Sequence, residues 1–250
     1  MSQPSPQVSQ SSSRLVRFLS DLTLPDVQVT HRQFSERLAQ LIDLPDSIAL
    51  ASAHGNLTTL PFEPASASGE EIREEFLQAR TSMLQKVISS FAPGSGTSRI
   101  RLPASTAGIP LADEARAEPY LKFYMAHQRQ MDFAVQNLRG RVREALTGLS
   151  PQLAQLAALD TALGDTLSIH ARKFFATVPR LLEQRFSALV DEFQHKPPLS
   201  QDQPNDWPQL MQRFGVEMQG LLLAEVEARL LPVLGMVEAI NETPENTPYE

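Results

Sequence analysis

Two histidines and two aspartates in the middle of the chain have side chains and a spacing that could do chemistry. His127 and Asp132 lie before a predicted turn between two helices, and Asp165 and His170 lie after it. Folding about that turn brings the two histidines close together, with the aspartates within about two helical turns. Imidazole and carboxylate groups can bind a metal ion, but a polar residue inside a helical seam can also fix the register. We favour the register role, with Gln128 or His127 as the hydrogen-bond partner of His170.

The densest cluster of basic residues is Arg139, Arg141 and Arg143. On a helix, residues 139 and 143 share a face and residue 141 points elsewhere, so the three do not form one stripe. Three interpretations remain open: a solvated helix end, a docking site for an acidic partner or for the chain's own acidic C-terminal segment, or a contact with nucleic acid. The net charge of −7 disfavours nucleic acid, because proteins that bind it carry excess positive charge.

Other signatures of catalysis or cofactor binding are missing from the sequence. It has no Gly-rich phosphate loop, no G-x-S-x-G, no H-E-x-x-H and no dinucleotide fingerprint. A di-iron helical bundle needs two Glu-x-x-His pairs, and the chain has one, Glu192 with His195. The chain has no cysteine, which excludes disulfides and thiolate ligands. We predict no enzymatic activity, no cofactor and no metal, and keep a metal-binding or enzymatic helical bundle as the alternative.

Two long amphipathic helices must position these residues. Their junction is at residues 147–151, where Gly148 suits the position after a helix C-terminus and Ser150 suits an N-cap. So short a loop makes the helices antiparallel. The first apolar stripe contains Leu121, Tyr124, Gln128, Met131, Val135, Leu138, Val142 and Leu146, and the second contains Leu163, Leu167, His170, Phe174, Val178, Leu182, Phe186, Leu189 and Phe193.

The register of this hairpin follows from the position of its junction. Facing residues have numbers that sum to about 298, which places Pro179 opposite Pro119. Proline lacks the backbone N–H of a helix interior and clashes with the preceding turn, so the second helix must kink or restart near Pro179. The first helix begins at the same level.

A final amphipathic helix is predicted to cover the hairpin. Its stripe from Met211 to Ile240 is too apolar to be exposed, and the hairpin seam also needs cover. Residues 118–196 carry 10 Lys/Arg against 8 Asp/Glu, whereas residues 197–250 carry 2 against 9. Charge therefore favours the same docking. The alternative is that this helix swings out to pair with a coiled-coil partner.

The predicted fold class is all-α: a long antiparallel helical hairpin with a packed C-terminal helix and a smaller N-terminal set of short helices. Breaks rich in proline, glycine and serine divide the chain. The predicted parts are a disordered N-terminus at 1–13, a short-helix region at 14–91, a flexible linker at 92–112, the hairpin with the C-terminal helix at 113–241, and a disordered tail at 242–250.

Composition and hydropathy predict a cytoplasmic protein. Aromatic residues make up only 6% of the chain, which favours helices over sheets. No apolar run approaches the roughly 18 residues of a membrane span, and residues 1–13 lack the apolar core of a signal peptide.

Several stretches resemble a proteobacterial family of unknown function. They are Tyr124 to Met131, Leu138 to Leu146, Ser150 to Asp160, Val178 to Phe186 and Met218 to Glu225. Members of that family tend to be encoded near OmpA/MotB-like envelope proteins and a large coiled-coil membrane protein, and no catalytic residue is known for it. The resemblance implies a bacterial, helical and non-catalytic protein with a partner in an envelope complex.

We therefore predict a helical interaction or adaptor protein. Its expected partner is a coiled-coil or envelope-complex protein, with nucleic acid disfavoured. The candidate interaction or register residues are Gln128, His127, His170, Arg139, Arg141 and Arg143.

Overall fold

The computed structural model describes residues 14–15, 44–57, 62–64, 68–92, 100–104, 117–195 and 207–242. Every regular element in these ranges is a helix, which confirms the all-α fold class. The predicted disordered N-terminus at 1–13 lies outside the described residues, and so does the predicted tail at 242–250 apart from Glu242, which ends the last helix. The helices are α1 (Leu44–Asn56), α2 (Gly69–Phe91), α3 (Glu118–Leu149), α4 (Pro151–Phe175), α5 (Thr177–His195) and α6 (Trp207–Glu242).

A single non-helical residue, Ser150, joins α3 to α4. Its backbone is extended (φ −158°, ψ 159°), and its hydroxyl accepts a hydrogen bond from the Leu153 amide at 3.2 Å. Ser150 is thus the N-cap that the sequence predicts, with Pro151 as the first helical residue. The role predicted for Gly148 is wrong, because α3 continues through it to Leu149. The helix needs no left-handed residue here, since Ser150 turns the chain in an extended conformation.

The two helices after this turn run antiparallel. Arg139 pairs with Asp160 across the hairpin at 2.6 Å, and the Gln128 side chain donates to the Phe175 carbonyl at 3.0 Å. These pairs have number sums close to the predicted register. The second arm ends at Phe175 and restarts at Thr177 as α5, within two residues of the predicted break at Pro179.

The stripe predicted for α4 is wrong in its first half. Leu163 and Phe174 are exposed, and the buried residues of α4 are Leu153, Ala154 and Ala157. This helix approaches α3 through small residues, because the arginines of α3 fill the space opposite them. In α3, by contrast, the predicted stripe is buried apart from the half-buried Leu121 and Gln128.

The core is shared by α2, α3, α5 and α6. Helix α6 docks on the hairpin as predicted and runs parallel to α3, with Tyr124 level with Glu225 and Asp132 level with Arg229. Leu231, which the apolar stripe predicts to be covered, is exposed. The largest fully buried side chains of this core are Tyr124, Phe214, Leu15, Leu138, Leu146, Leu182, Leu189, Met218, Leu221 and Leu222.

Helix α2 belongs to this core, which differs from the predicted division at residue 91. Its N-cap is Ser68. It packs against both α3 and α6, and buries Phe76 and Val87 among their side chains. Part of the predicted flexible linker is docked as well. The Leu102 amide donates to the Ser90 carbonyl at 3.0 Å, and the Leu102 side chain packs against the core.

Helix α1 lies on the outside of the hairpin. It contains no buried residue and packs along α4. Gln155 on α4 donates to the carbonyl of Leu57 at 3.2 Å, which places the end of α1 near the start of α4. None of the described helices has a stretch long and apolar enough to cross a membrane.

Candidate functional site

A completely buried carboxylate lies between α3 and α6. Glu225 has no exposed surface. One of its oxygens accepts the Tyr124 hydroxyl at 2.8 Å, and Gln128 donates to both oxygens at 3.0 and 3.1 Å. Arg229 donates to the same carboxylate through two nitrogens at 2.7 and 2.9 Å. Both oxygens of this buried charge therefore accept from two different side chains, which is the condition for tolerating a charge inside a protein.

Helical spacing builds this network. Tyr124 and Gln128 are one turn apart on α3, and Glu225 and Arg229 are one turn apart on α6, so parallel helices bring the two pairs level. Arg229 extends the network to Asp132 at 3.0 Å and lies over the Phe175 ring, 3.9 Å from its centroid. The network thus joins α3, the end of α4 and α6 at one point.

The electrostatics of this site favour a structural role. Burial raises the pKa of Tyr124 well above its usual value, and the neighbouring charge of Glu225 raises it further. Tyr124 therefore stays protonated and acts as a hydrogen-bond donor, not as a base. A buried ion pair adds little net stability relative to apolar residues, but removing one partner leaves an uncompensated charge. The site holds α6 in one alignment on the hairpin.

His127 lies beside this network in an apolar environment. It is buried, its ring is 4.8 Å from the Phe123 ring, and its Nε2 has no hydrogen-bond partner among the described residues. Loss of hydration lowers the pKa of His127 to about 4, so the ring is neutral at pH 7.

The predicted pairing of His170 differs from the structure. Gln128 is directed to Glu225 and to the Phe175 carbonyl, and none of the hydrogen bonds of the described residues joins His170 to Gln128 or His127. The register is fixed instead by Gln128 with Glu225, because α6 supplies the acid that the hairpin lacks. Within the described ranges, no group of three His, Asp or Glu side chains is arranged to hold a metal ion.

Arg139 and Arg143 form an internal ion cluster with Asp160. Both guanidinium groups donate to its carboxylate at 2.6–2.7 Å and to its backbone carbonyl at 2.9–3.2 Å. Burial of Asp160 disfavours its charge, but the hydrogen bonds from the two arginines outweigh burial and lower its pKa. The interpretation of these two arginines as a solvated helix end is therefore wrong, since an acid on α4 sequesters them.

Arg141 points away from that cluster, as helical spacing predicts. Its guanidinium hydrogen-bonds to Glu75 on α2. Docking of the arginines on the chain's acidic C-terminal segment, one of the open interpretations, is not seen in the described part of that segment, residues 207–242. Their acidic partners lie on α2 and α4, and the acids of α6 pair elsewhere, for example Glu217 with Arg185 at 2.7 and 2.8 Å.

Of the large apolar side chains exposed on α1, α3 and α4, four are more than half exposed. We call them the outer apolar face: Leu44 (74% exposed), Ile48 (62%), Phe133 (72%) and Ile169 (52%). Because α1 runs back along α4 from Leu57 for 13 residues, about 20 Å, its start lies near the level of residue 168.

The surface of α4 beneath α1 leads directly to Ile169. Its half-buried residues recur every three or four positions, at Gln155, Leu159, Ala162 and Thr166. Ile169 is the next residue on that face and lies beyond the start of α1, where it is exposed.

Phe133 reaches the same level from α3. The hairpin pairs Arg139 with Asp160 and Gln128 with Phe175, so residue 133 faces the neighbourhood of residues 166–170. Phe133 and Ile169 are therefore exposed at the same level of the hairpin.

Comparison with protein families gives one match. The family model described as "Protein of unknown function (DUF3348)" matches residues 1–242. The chain belongs to this DUF3348 family. No curated protein sequence and no solved structure matches it. The family carries no assigned activity, so function must be argued from the arrangement of residues in this chain.

Sequence patterns could have indicated one component that we did not predict. Glu225 and Arg229 occupy the i and i+4 positions within an otherwise apolar stripe that includes Met218 and Leu222. An acid and an arginine one turn apart on a buried stripe are typical of a buried ion pair. The outer apolar face has no such signal, because its members come from three separate helices.

Proposed function

We propose that this protein is a non-enzymatic interaction or adaptor protein that binds another protein through its outer apolar face. The observation that carries this proposal is the grouping of Leu44, Ile48, Phe133 and Ile169, each more than half exposed, at one level of the bundle. Single exposed apolar side chains are common on protein surfaces, whereas groups of them are typical of binding sites.

The rest of the bundle supports a scaffold role. Ion pairs and the shared core hold α2, α3 and α6 together. The polar side chains around Glu225 are hydrogen-bonded to one another inside the bundle. A rigid bundle that presents an apolar face is suited to binding by helix packing, since little ordering entropy is then lost on association.

The partner that we propose is a coiled-coil protein or another component of a bacterial envelope complex, bound on the cytoplasmic side. This class of partner rests on the proteobacterial gene neighbourhood that the resemblance implies. A helical surface on such a partner would be complementary to the outer apolar face.

Co-purification from the protein's own kind of cell tests the proposal. The tagged full chain is compared with a Phe133→Glu/Ile169→Glu variant and with Val216→Glu. Val216 is the control, because it is an apolar side chain 65% exposed on α6 and its substitution adds one negative charge, as each substitution of the double variant does. We expect one protein to be retained by the wild type and by the control and to be lost from the double variant. Equal retention by all three would contradict the proposal.

A further inference from the structure

We propose that the segment docking on the outer apolar face is an amphipathic helix that carries acidic residues beside one end of its apolar stripe. This inference rests on the proposed function and specifies the chemistry of the partner. It follows from the distribution of charge around Ile169 and Phe133, which is uneven along the hairpin.

Three exposed cations lie on one side of the outer apolar face. Arg129 is one turn before Phe133 on α3, and Arg172 and Lys173 are one turn after Ile169 on α4. Because the helices are antiparallel, these positions meet at the same end of the face. The hairpin register confirms this, since residue 129 faces residues 170–174.

These cations are available to a partner. None of them is in a salt bridge with an acid in the described part of the chain. Arg172 donates one weak hydrogen bond, from Nε to the Ser168 carbonyl at 3.3 Å, and its terminal nitrogens remain free for a carboxylate. Arginine at such a position suits bidentate recognition of a carboxylate.

The acidic residues closest to the outer apolar face are not at the end where these cations lie. Asp165 is exposed on α4 one turn before Ile169, at the opposite end of the face, and Asp46 is half-buried on α1. Asp132 is already paired with Arg229. The end of the face near Arg172 is therefore positive in a chain whose net charge is −7.

A helix fits this surface better than an extended strand does. The described part of the bundle offers no sheet edge to pair with a strand. Phe133 and Ile169 are exposed at the same level of the antiparallel helices α3 and α4. Apolar side chains at i, i+3, i+4 and i+7 of a partner helix can cover two such side chains.

Site-specific photocrosslinking in the protein's own kind of cell tests this inference. Benzoylphenylalanine replaces Phe133 in one full-length variant, Ile169 in a second and Val216 in a third as the control. We expect crosslinks from positions 133 and 169 to one protein segment, identified by mass spectrometry. Its sequence should have apolar residues every three or four positions and a net negative charge.

A synthetic peptide of the crosslinked segment then provides the affinity measurement. Reversal of the three cations in an Arg129→Glu/Arg172→Glu/Lys173→Glu variant should weaken its binding by at least about tenfold at low salt. Added salt should weaken binding to the wild type in the same direction.

The outcomes separate the two proposals. A crosslinked segment that is neutral, basic or not helical in pattern would overturn this inference and leave the proposed function standing. Crosslinks to lipid or to a second copy of this chain would overturn both, as would labelling at positions 133 and 169 no stronger than at position 216. Unchanged affinity on charge reversal, with the variant folded as judged by circular dichroism, would also overturn the inference.

Discussion

The hydroxyl oxygen of Tyr124 lies 2.8 Å from a carboxylate oxygen of Glu225, and neither side chain is exposed to solvent. This contact joins the first long helix of the hairpin to the C-terminal helix. The same carboxylate also accepts a hydrogen bond from Gln128, the one polar residue in the apolar stripe of α3. The amide of Gln128 is therefore hydrogen-bonded although it lies in that stripe.

Replacement of Glu225 should destabilise the fold strongly. In Glu225→Gln, the half-buried Arg229 keeps Asp132 but loses its buried carboxylate partner, which should lower the free energy of unfolding by about 2–4 kcal/mol. Glu238→Gln, an exposed acid on the same helix, should change it by less than about 0.5 kcal/mol. Urea unfolding followed by the fluorescence of Trp207, the one tryptophan of the chain, measures both. An unchanged free energy of unfolding in Glu225→Gln would show that the network contributes nothing to stability.

The pH dependence of stability should report on His127. Its pKa in the folded state is about 4, below its usual value of 6.5, so the unfolded chain binds more protons between these values. Stability is then fully present above pH 6.5 and falls by about 1–3 kcal/mol as the pH decreases towards 4. His127→Leu should remove this part of the pH dependence in urea unfolding measured from pH 4 to 7. An identical pH dependence of the unfolding free energy in His127→Leu would contradict the lowered pKa of His127.

Sequence periodicity predicted the elements that pack through large apolar residues. The stripe that contains Leu138 and Leu146 is buried apart from Leu121 and Gln128, and the helix break near Pro179 is present. Both follow from local rules, namely a period of about 3.6 residues and the missing N–H of proline.

Periodicity failed where small or charged residues make the contact. Helix α4 meets α3 through Ala157, Asp160 and Gly164, and a hydrophobic pattern favours Leu163 instead. A charged residue such as Glu225 is expected on the surface, and its burial depends on partners about 100 positions away. The placement of α1, which exposes the outer apolar face, likewise depends on tertiary contacts.

A glycine substitution tests the ion cluster of the hairpin. A Cβ atom at Gly164 would lie 2.9 Å from a terminal nitrogen of Arg143 and 3.1 Å from one of Arg139, whereas at Gly235 it would meet nothing within 4 Å. Alanine is favoured over glycine in a helix by about 1 kcal/mol. Gly235→Ala should therefore raise the free energy of unfolding by about 0.5–1 kcal/mol, while Gly164→Ala gains nothing or loses stability. Equal gains at both positions would show that the arginines are not held in place.

Removal of α6 should expose the core. A fragment that ends at Lys196 lacks the side chains that cover α2 and α3, including the fully buried Met218 and Leu222. We expect it to aggregate or to melt without cooperativity, whereas a fragment that ends at Glu242 keeps α6 and should behave as the full chain. Light scattering with size-exclusion chromatography and thermal melting distinguish them. A monomeric, cooperatively melting 1–196 fragment would support a helix α6 that is free to leave the hairpin.

Binding at the outer apolar face is measured most directly as the dissociation constant of the co-purified partner. Titration calorimetry of the full chain with that partner compares the wild type with Phe133→Ala and Val216→Ala, two truncations of exposed apolar side chains. We predict that Phe133→Ala weakens binding by about tenfold or more, because a buried aromatic anchor contributes more than about 1 kcal/mol, and that Val216→Ala changes it by less than about twofold. Equal dissociation constants for the wild type and Phe133→Ala would contradict binding at this face.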